Sequence, residues 1–185
     1  MRRSGPTIVS LLSFAILLFV ICLFANSRSY ERFSDDRTVR PYTEISPAVQ
    51  EAVLRSFQKQ WGDDAGIEYD DDLVRRLWRY PDMLFVMTDA DDAFVGAIGI
   101  DRSTHLVFPF LSHLYVAEPF RKQGVGTRLL EVAEKHAPSL RASTIYLWCE
   151  DDSVGYYEKR GWSVTKSSWM VRPVVGYTLM KKDVV

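Results

Sequence analysis

The chain is nearly without cysteine and asparagine, and each shortage excludes something. Of 185 residues two are cysteines: Cys22, inside a hydrophobic run, and Cys149, at the end of a predicted core strand. Two such positions do not make a disulfide framework. No C-x-x-C occurs and the three histidines are scattered, so no metal site is expected. Cys149 reads as a small buried hydrophobe. Asn26 is the only asparagine, and Arg28 follows Ser27, so there is no N-x-[ST] glycosylation acceptor. An excess of one charge is missing too. Lysine and arginine number 23 against 24 acids, a net charge of −1, which is no signature of a nucleic-acid binder. There is no internal repeat and no low-complexity tract, and nothing specifies an oligomeric state. What is present is a hydrophobic fraction of 47% with five tryptophans, enough for the packed core of one domain.

Leu114 to Leu130 is the most informative stretch. An apolar strand leads through a short turn to Gly124-Val125-Gly126 and then into a helix. Glycines let a ligand approach the backbone closely. The helix leaves its first N–H groups unpaired and aimed back at the turn, a setting that favours phosphate. Arg121, Lys122 and Arg128 add positive charge. No G-x-x-x-x-G-K-[ST] string occurs, which excludes a Walker P-loop. Leu129 holds the third position of a Rossmann fingerprint, which excludes that as well. What remains is R-x-x-G-x-G from Arg121 through Gly126, a site for a diphosphate-bearing ligand.

With its upstream hydrophobic-x-Val strand and Pro119, this loop resembles the acyl-CoA-binding motif of the GNAT superfamily of N-acetyltransferases. A second signature follows in the right order. Thr144 to Cys149 alternates as a strand, and Tyr157, Glu158, Lys159, Gly161 and Trp162 then resemble the family's Y-E-K-x-G-F, with Trp for Phe. The resemblance spans roughly residues 39 to 182. Where the family often has Asn and Ala before this short helix, the chain has Glu150 and Ser153. A carboxylate at Glu150 acts on an amine or caps the helix.

The resemblance implies transfer of an acetyl group from acetyl-CoA to a primary amine, on a small molecule or a protein. It implies that the backbone of Leu114, Tyr115 and Val116 lies along the pantetheine arm. The loop of Arg121, Lys122, Gln123, Gly124, Val125, Gly126 and Thr127 would then hold the pyrophosphate. It makes Tyr157 the general acid beside the CoA sulfur, since a phenol with a pKa near 10 stays protonated at neutral pH. Tyr156, its neighbour, points elsewhere. His113 is the candidate base, because an imidazole of ordinary pKa, about 6.5, suits proton removal at neutral pH. Glu118 and Glu150 are the alternatives and the candidate acceptor-binding residues, and a water chain is a further one. Ten acids between Asp63 and Asp92 against three arginines read as helix caps and solvated turns, with an acidic rim that would concentrate cationic amines as the alternative. Only Asp63, Asp64 and Glu68 of these fall between the first two helices. The competing function is a non-catalytic acyl-CoA-binding module, acting as a sensor or partner-binding domain at a membrane.

One long hydrophobic run is present. Thr7 to Ala25 is 19 residues without a charge, long enough to cross a hydrocarbon core of about 30 Å as a helix. Residues 1–6 form a short basic N-terminus, 7–25 a signal anchor, 26–38 a polar linker, and 39–185 the domain. A cleaved signal peptide is the competing reading, with Ala25-Asn26-Ser27 as its cleavage site, but the run exceeds a usual h-region of roughly 7–15 residues. Two basic residues precede the run and Arg28, Arg32, Arg37 and Arg40 follow it. That balance predicts a single-pass membrane protein with a cytosolic catalytic domain.

The domain reads as α/β, an α+β arrangement on a mixed sheet, in the order β-α-α-β-β-β-α-β-α-β-β. This is also the order of the GNAT fold. Strands are expected over 39–44, 83–88, 93–100, 110–117 (or from Leu106 with a break at Pro109), 144–149, 162–169 and 174–181. Ser46 and Pro47 start the first helix, Asp70–Asp72 the second with Pro81 ending it, and the third runs 127–137. Gly96 and Gly99 inside one strand suggest a bulge or close packing.

Overall fold

The computed structural model describes residues 36–77, 83–101, 108–165 and 176–184. The expected membrane segment 7–25, Trp78, Pro81, Leu106 and residues 166–175 lie outside them. No described helix is long and apolar enough to cross a membrane. Contacts group Arg32–Val185 into one compact unit.

The expected element order is observed. Strand β1 (Thr38–Pro41) is shorter than the expected 39–44, and Tyr42–Glu44 forms a 3-10 turn instead. Pro41 has no N–H to carry the ladder further. Helix α1 (Pro47–Phe57) starts as read: Ser46 Oγ accepts the Val49 N–H at 3.4 Å, and Val49, Val53 and Phe57 are buried. A π-helical turn (Gln58–Gly62) and one last turn (Asp63–Ala65) continue it. In helix α2 (Asp71–Leu77), Asp70 Oδ1 accepts the Leu73 N–H at 2.6 Å.

Strands β2 (Leu84–Thr88) and β3 (Phe94–Asp101) form a hairpin whose turn is tied by Asp89 Oδ1, which accepts from the N–H groups of Asp91 and Ala93. Every residue of β2, and all of β3 except its ends, is at least nine-tenths buried, so both faces of these strands are covered. Strand β4 (Phe110–Val116) presents Tyr115 toward Phe57 of α1. Gly96 faces the other way, onto Leu129 of helix α3 (Val125–His136), so α1 and α3 lie on opposite faces of the sheet. A Cβ on Gly96 would sit 2.6 Å from the Tyr115 carbonyl oxygen, which answers the close-packing expectation.

Strand β5 (Thr144–Glu150), helix α4 (Val154–Glu158), and strands β6 (Ser163–Val164) and β7 (Tyr177–Asp183) complete the domain. The last strand is described from Tyr177, residues 174 and 175 lying outside the described residues, and β6 is described as Ser163–Val164. The sheet order is β1-β2-β3-β4-β5-β7-β6. All its pairings are antiparallel except β4 with β5.

Trp162 stands where the second signature has Phe, and its larger ring brings an N–H that needs a partner. Glu134 of α3 supplies it: its Oε1 accepts from Trp162 Nε1 at 2.9 Å, while Oε2 takes Lys182 Nζ at 2.6 Å.

Candidate active site

The site begins with a broken ladder. Ala97 pairs with Tyr115 and Gly99 with Ser112, so Ile98 stands opposite two residues, His113 and Leu114. The extra residue lies in β4; the glycine-bearing strand β3 has its own irregularity beside Gly96, where Val95 is extra against β2. His113 takes φ 53° to make the β4 bulge, a left-handed conformation costing roughly 1–2 kcal/mol in a non-glycine residue. The bulge bends β4 away from its other neighbour. The β4–β5 ladder holds only Phe110↔Tyr146 and Leu111↔Leu147. Beyond Leu111 the strands part, and a cleft opens along the β4 backbone.

Two cavities fill that cleft, of about 510 and 580 Å³. They share Gln60, Trp61, Leu114, Ser153 and Tyr157, which form the neck between them.

The smaller cavity contains the predicted phosphate loop. Tyr115, Val116, Arg121, Lys122, Gly124, Val125, Gly126 and Thr127 all line it. Gly124 is the N-cap of α3 at φ 81°, with no side-chain cap. The helix therefore starts two residues earlier than the expected Thr127, because a left-handed glycine turns the chain directly into it. Its first N–H groups have no capping side chain to compete with a ligand. Gly126 lies within the first turn, where a Cβ would stand 2.7 Å from Tyr156 Oη. Gln123 lies outside the lining; its amide bridges Pro119 O (2.8 Å) and Arg37 Nη2 (2.6 Å). Arg121 Nε donates to Val116 O at 3.1 Å, bracing strand against loop.

Arg160 is a residue that the sequence reading passed over. Its Nε and Nη2 donate to Thr127 Oγ1 at 2.9 and 2.7 Å, and its guanidinium lies 3.6 Å from the Tyr156 ring centroid. It lines the same cavity as Arg121 and Lys122, and no acid does. The variable position of Y-E-K-x-G-F was the signal that could have found it. Tyr156, expected to point elsewhere, lines this half of the cleft and supports Arg160.

Tyr157 lies at the neck. Burial, with Cys149 and Tyr156 nearby, raises its pKa above the usual phenol range, and Arg160 offsets only part of this. The hydroxyl therefore stays protonated at neutral pH. Cys149 is buried, as expected. Desolvation first, and the acids from Glu150 to Asp152 next, push its thiol up to about 11.

His113 faces the larger cavity within an aromatic box. Its ring centroid is 4.8 Å from Trp61, 5.3 Å from Phe57 and 5.8 Å from Tyr69. Nε2 and the Tyr69 hydroxyl share a 2.8 Å hydrogen bond. The box strips water from the ring and lowers its pKa to about 4. This corrects the expectation of an ordinary imidazole: His113 is neutral at pH 7 and a weak base.

Glu150 lines the larger cavity. It stands at the N-cap of a 3-10 turn (Asp151–Ser153) without a side-chain capping bond, so the capping role considered for it is not used. Glu118 is exposed at the start of another 3-10 turn (Glu118–Phe120) and lines neither cavity. The acids serve more as caps and turn ties than as a rim: Asp70 caps α2 and Asp89 ties the β2–β3 turn, while Asp63, Asp64 and Glu68 are outside the lining and Trp61, Ile67 and Tyr69 of that segment border the cavity. Among the described residues no cluster of His, Cys, Asp or Glu could hold a metal ion.

A cleft with a cationic, glycine-lined helix N-terminus at one end and a protonated phenol at its neck defines a CoA-type acyltransferase architecture. The pattern of the acetyltransferase (GNAT) family matches residues 47–162, and the chain belongs to that family. It is an acetyltransferase by this membership. Its fold is similar to an acetyltransferase of the GNAT family from Staphylococcus aureus Mu50, at 15% identity and TM-score 0.58, covering 80% of this chain and 99% of that one. It is also similar to Ard1 from Thermoplasma volcanium, at 22% identity and TM-score 0.56, over 81% and 99% of the two chains. An aminoglycoside 6'-N-acetyltransferase complexed with coenzyme A has 21% identity and TM-score 0.60, over 80% and 97%. No curated protein sequence matches at a significant level.

Proposed function

We propose that the protein transfers the acetyl group of acetyl-CoA to a primary amine by direct attack, with residues 39–185 as the catalytic domain. In this reading residues 7–25 anchor the chain in a membrane as a single span, residues 26–38 link it, and the domain faces the cytosol, where acetyl-CoA is supplied. The observation that carries the reading is the continuous cleft from the Gly124–Thr127 helix start, past the freed edge of β4, to Tyr157 at the neck.

Arg121, Lys122, Arg160 and the first N–H groups of α3 supply positive charge for the pyrophosphate. The β4 backbone from Leu114 to Val116 offers hydrogen-bonding groups along the pantetheine arm. The amine lone pair attacks the thioester carbon; the C–N bond forms and the C–S bond breaks. One proton leaves the nitrogen for water, and sulfur departs with its electron pair beside Tyr157. Because the phenol is a much weaker acid than a thiol, Tyr157 acts chiefly by donating a hydrogen bond to the developing thiolate. His113, neutral in its box, holds Tyr69 and the bulge, and water removes the amine proton.

The test is release of free CoA thiol by the full chain in mild detergent, with acetyl-CoA and a panel of primary amines. Tyr157→Phe is expected to lower kcat about 10- to 100-fold, the worth of one hydrogen bond to a developing charge, with the KM for acetyl-CoA nearly unchanged. An unchanged kcat removes Tyr157 from the mechanism. The weakness of His113 as a base favours one other reading, an acyl-CoA-binding module without turnover. That reading requires CoA to bind while no amine releases thiol.

A further inference from the structure

The two halves of the cleft differ in charge. Arg121, Lys122 and Arg160 line the smaller cavity and no acid does. Asp101 and Glu150 line the larger one, and no lysine or arginine does. These statements hold among the described residues. With His113 neutral at pH 7, no described lining residue is a cation, and the exposed carboxylate of Glu150 disfavours an acceptor carboxylate beside it.

Much of the wall is aromatic. Trp61, Tyr69, Phe110 and Trp148 line the cavity, and two of the three large hydrophobic side chains that the described surface exposes also border it: Ile67 at 44% and Tyr177 at 45%. Exposed apolar groups beside a cavity favour an apolar guest. The chain itself says where the guest's charge belongs. Glu150 ends β5 and lines the larger cavity, and Ser153, at the end of the 3-10 turn that follows, lies at the neck. Glu150 is exposed and makes no side-chain capping bond.

Building on the acetyl-transfer reading above, we infer that the larger cavity takes a primary ammonium borne on an aromatic or similarly flat apolar body and lacking a carboxylate, the arylalkylamine class. Glu150 holds the ammonium beside the thioester, and the aromatic walls hold the ring. A cation between indole and phenol faces gains further from their quadrupoles.

The test compares phenethylamine and tryptamine with L-phenylalanine, L-tryptophan, n-butylamine and spermidine, using thiol release by the full chain in mild detergent at saturating acetyl-CoA. CoA binding is measured in parallel by calorimetry. Phenethylamine or tryptamine is expected to exceed each of the other four at least tenfold in kcat/KM, about the worth of one desolvated cation–π or charge contact. Glu150→Gln is expected to raise the KM for the arylalkylamine about tenfold while leaving the KM for acetyl-CoA alone. A structural role for Glu150 would move both constants. Equal or faster turnover of spermidine, butylamine or either amino acid overturns the inference and leaves acetyl transfer standing. So does CoA binding with both arylalkylamines inert. Absence of CoA binding overturns the acetyl-transfer reading itself.

Discussion

His113 is ringed by Phe57, Trp61 and Tyr69 and keeps a pKa of about 4. The sign of its effect on stability follows. Its ordinary pKa is about 6.5, so below that pH the unfolded chain binds a proton that the folded chain refuses. Folding loses stability as pH falls from about 6.5 toward 4, by up to about 3 kcal/mol, and His113 contributes no pH dependence above 7. Urea unfolding followed by tryptophan fluorescence should show this slope, and His113→Asn, which tolerates the left-handed backbone, should reduce it. An unchanged slope in that variant would place the loss on other groups. The residue type was visible in the sequence but its environment was not. Strand position gave His113 a place near the thioester, whereas the desolvation comes from Trp61 and Tyr69, whose approach depends on how α1 ends.

Two parts of the chain position the cationic end of the cleft: the start of α3 and Arg160, just past α4. The first was legible because its signal is local. Glycine spacing and flanking charge lie within six residues, and Gly124 takes the left-handed turn such a start requires. Gly96 and Gly99 marked irregularity and close packing in β3, but nothing local marked the β4 bulge at His113 across from it. The second was not legible, because Arg160 reaches Thr127 across 33 positions of chain. The acids before α2 left two readings open for a related reason: composition counts charges but does not aim them, and the half-exposed Ile67 with Tyr69 borders the cavity while Asp63, Asp64 and Glu68 do not. Arg160→Ala is expected to weaken CoA about tenfold, as one guanidinium near a phosphate is worth roughly 1–2 kcal/mol. Lys122→Ala, at an exposed residue, should cost less. Calorimetric Kd values for the two variants check the ranking, and equal losses would show that Arg160 serves only to brace Tyr156 and Thr127.

At the scale of the whole molecule, the near-zero net charge conceals segregation. Among the described residues, Arg121, Lys122 and Arg160 line the smaller cavity and Asp101 and Glu150 the larger, with a neck between them. Overall composition cannot display such a pattern, which is why the charge balance indicated no partner. The apolar run of residues 7–25 gives a separate prediction. The full chain expressed in bacteria should float with membranes in a density gradient and resist carbonate extraction, while a chain with two arginines placed in that run should be released. Carbonate release of the unaltered chain would contradict the anchor.

The central claim is that the cleft from Gly124 to Tyr157 holds coenzyme A. Calorimetric titration of CoA into the full chain in mild detergent addresses it most directly, with Gly126→Trp measured alongside. The account predicts saturable one-to-one binding that weakens at least 100-fold in the variant, because an indole at Gly126 would meet Tyr156 and occupy the cavity. Circular dichroism should show the variant still folded. No binding by the unaltered chain, or equal binding by the folded variant, would contradict the account.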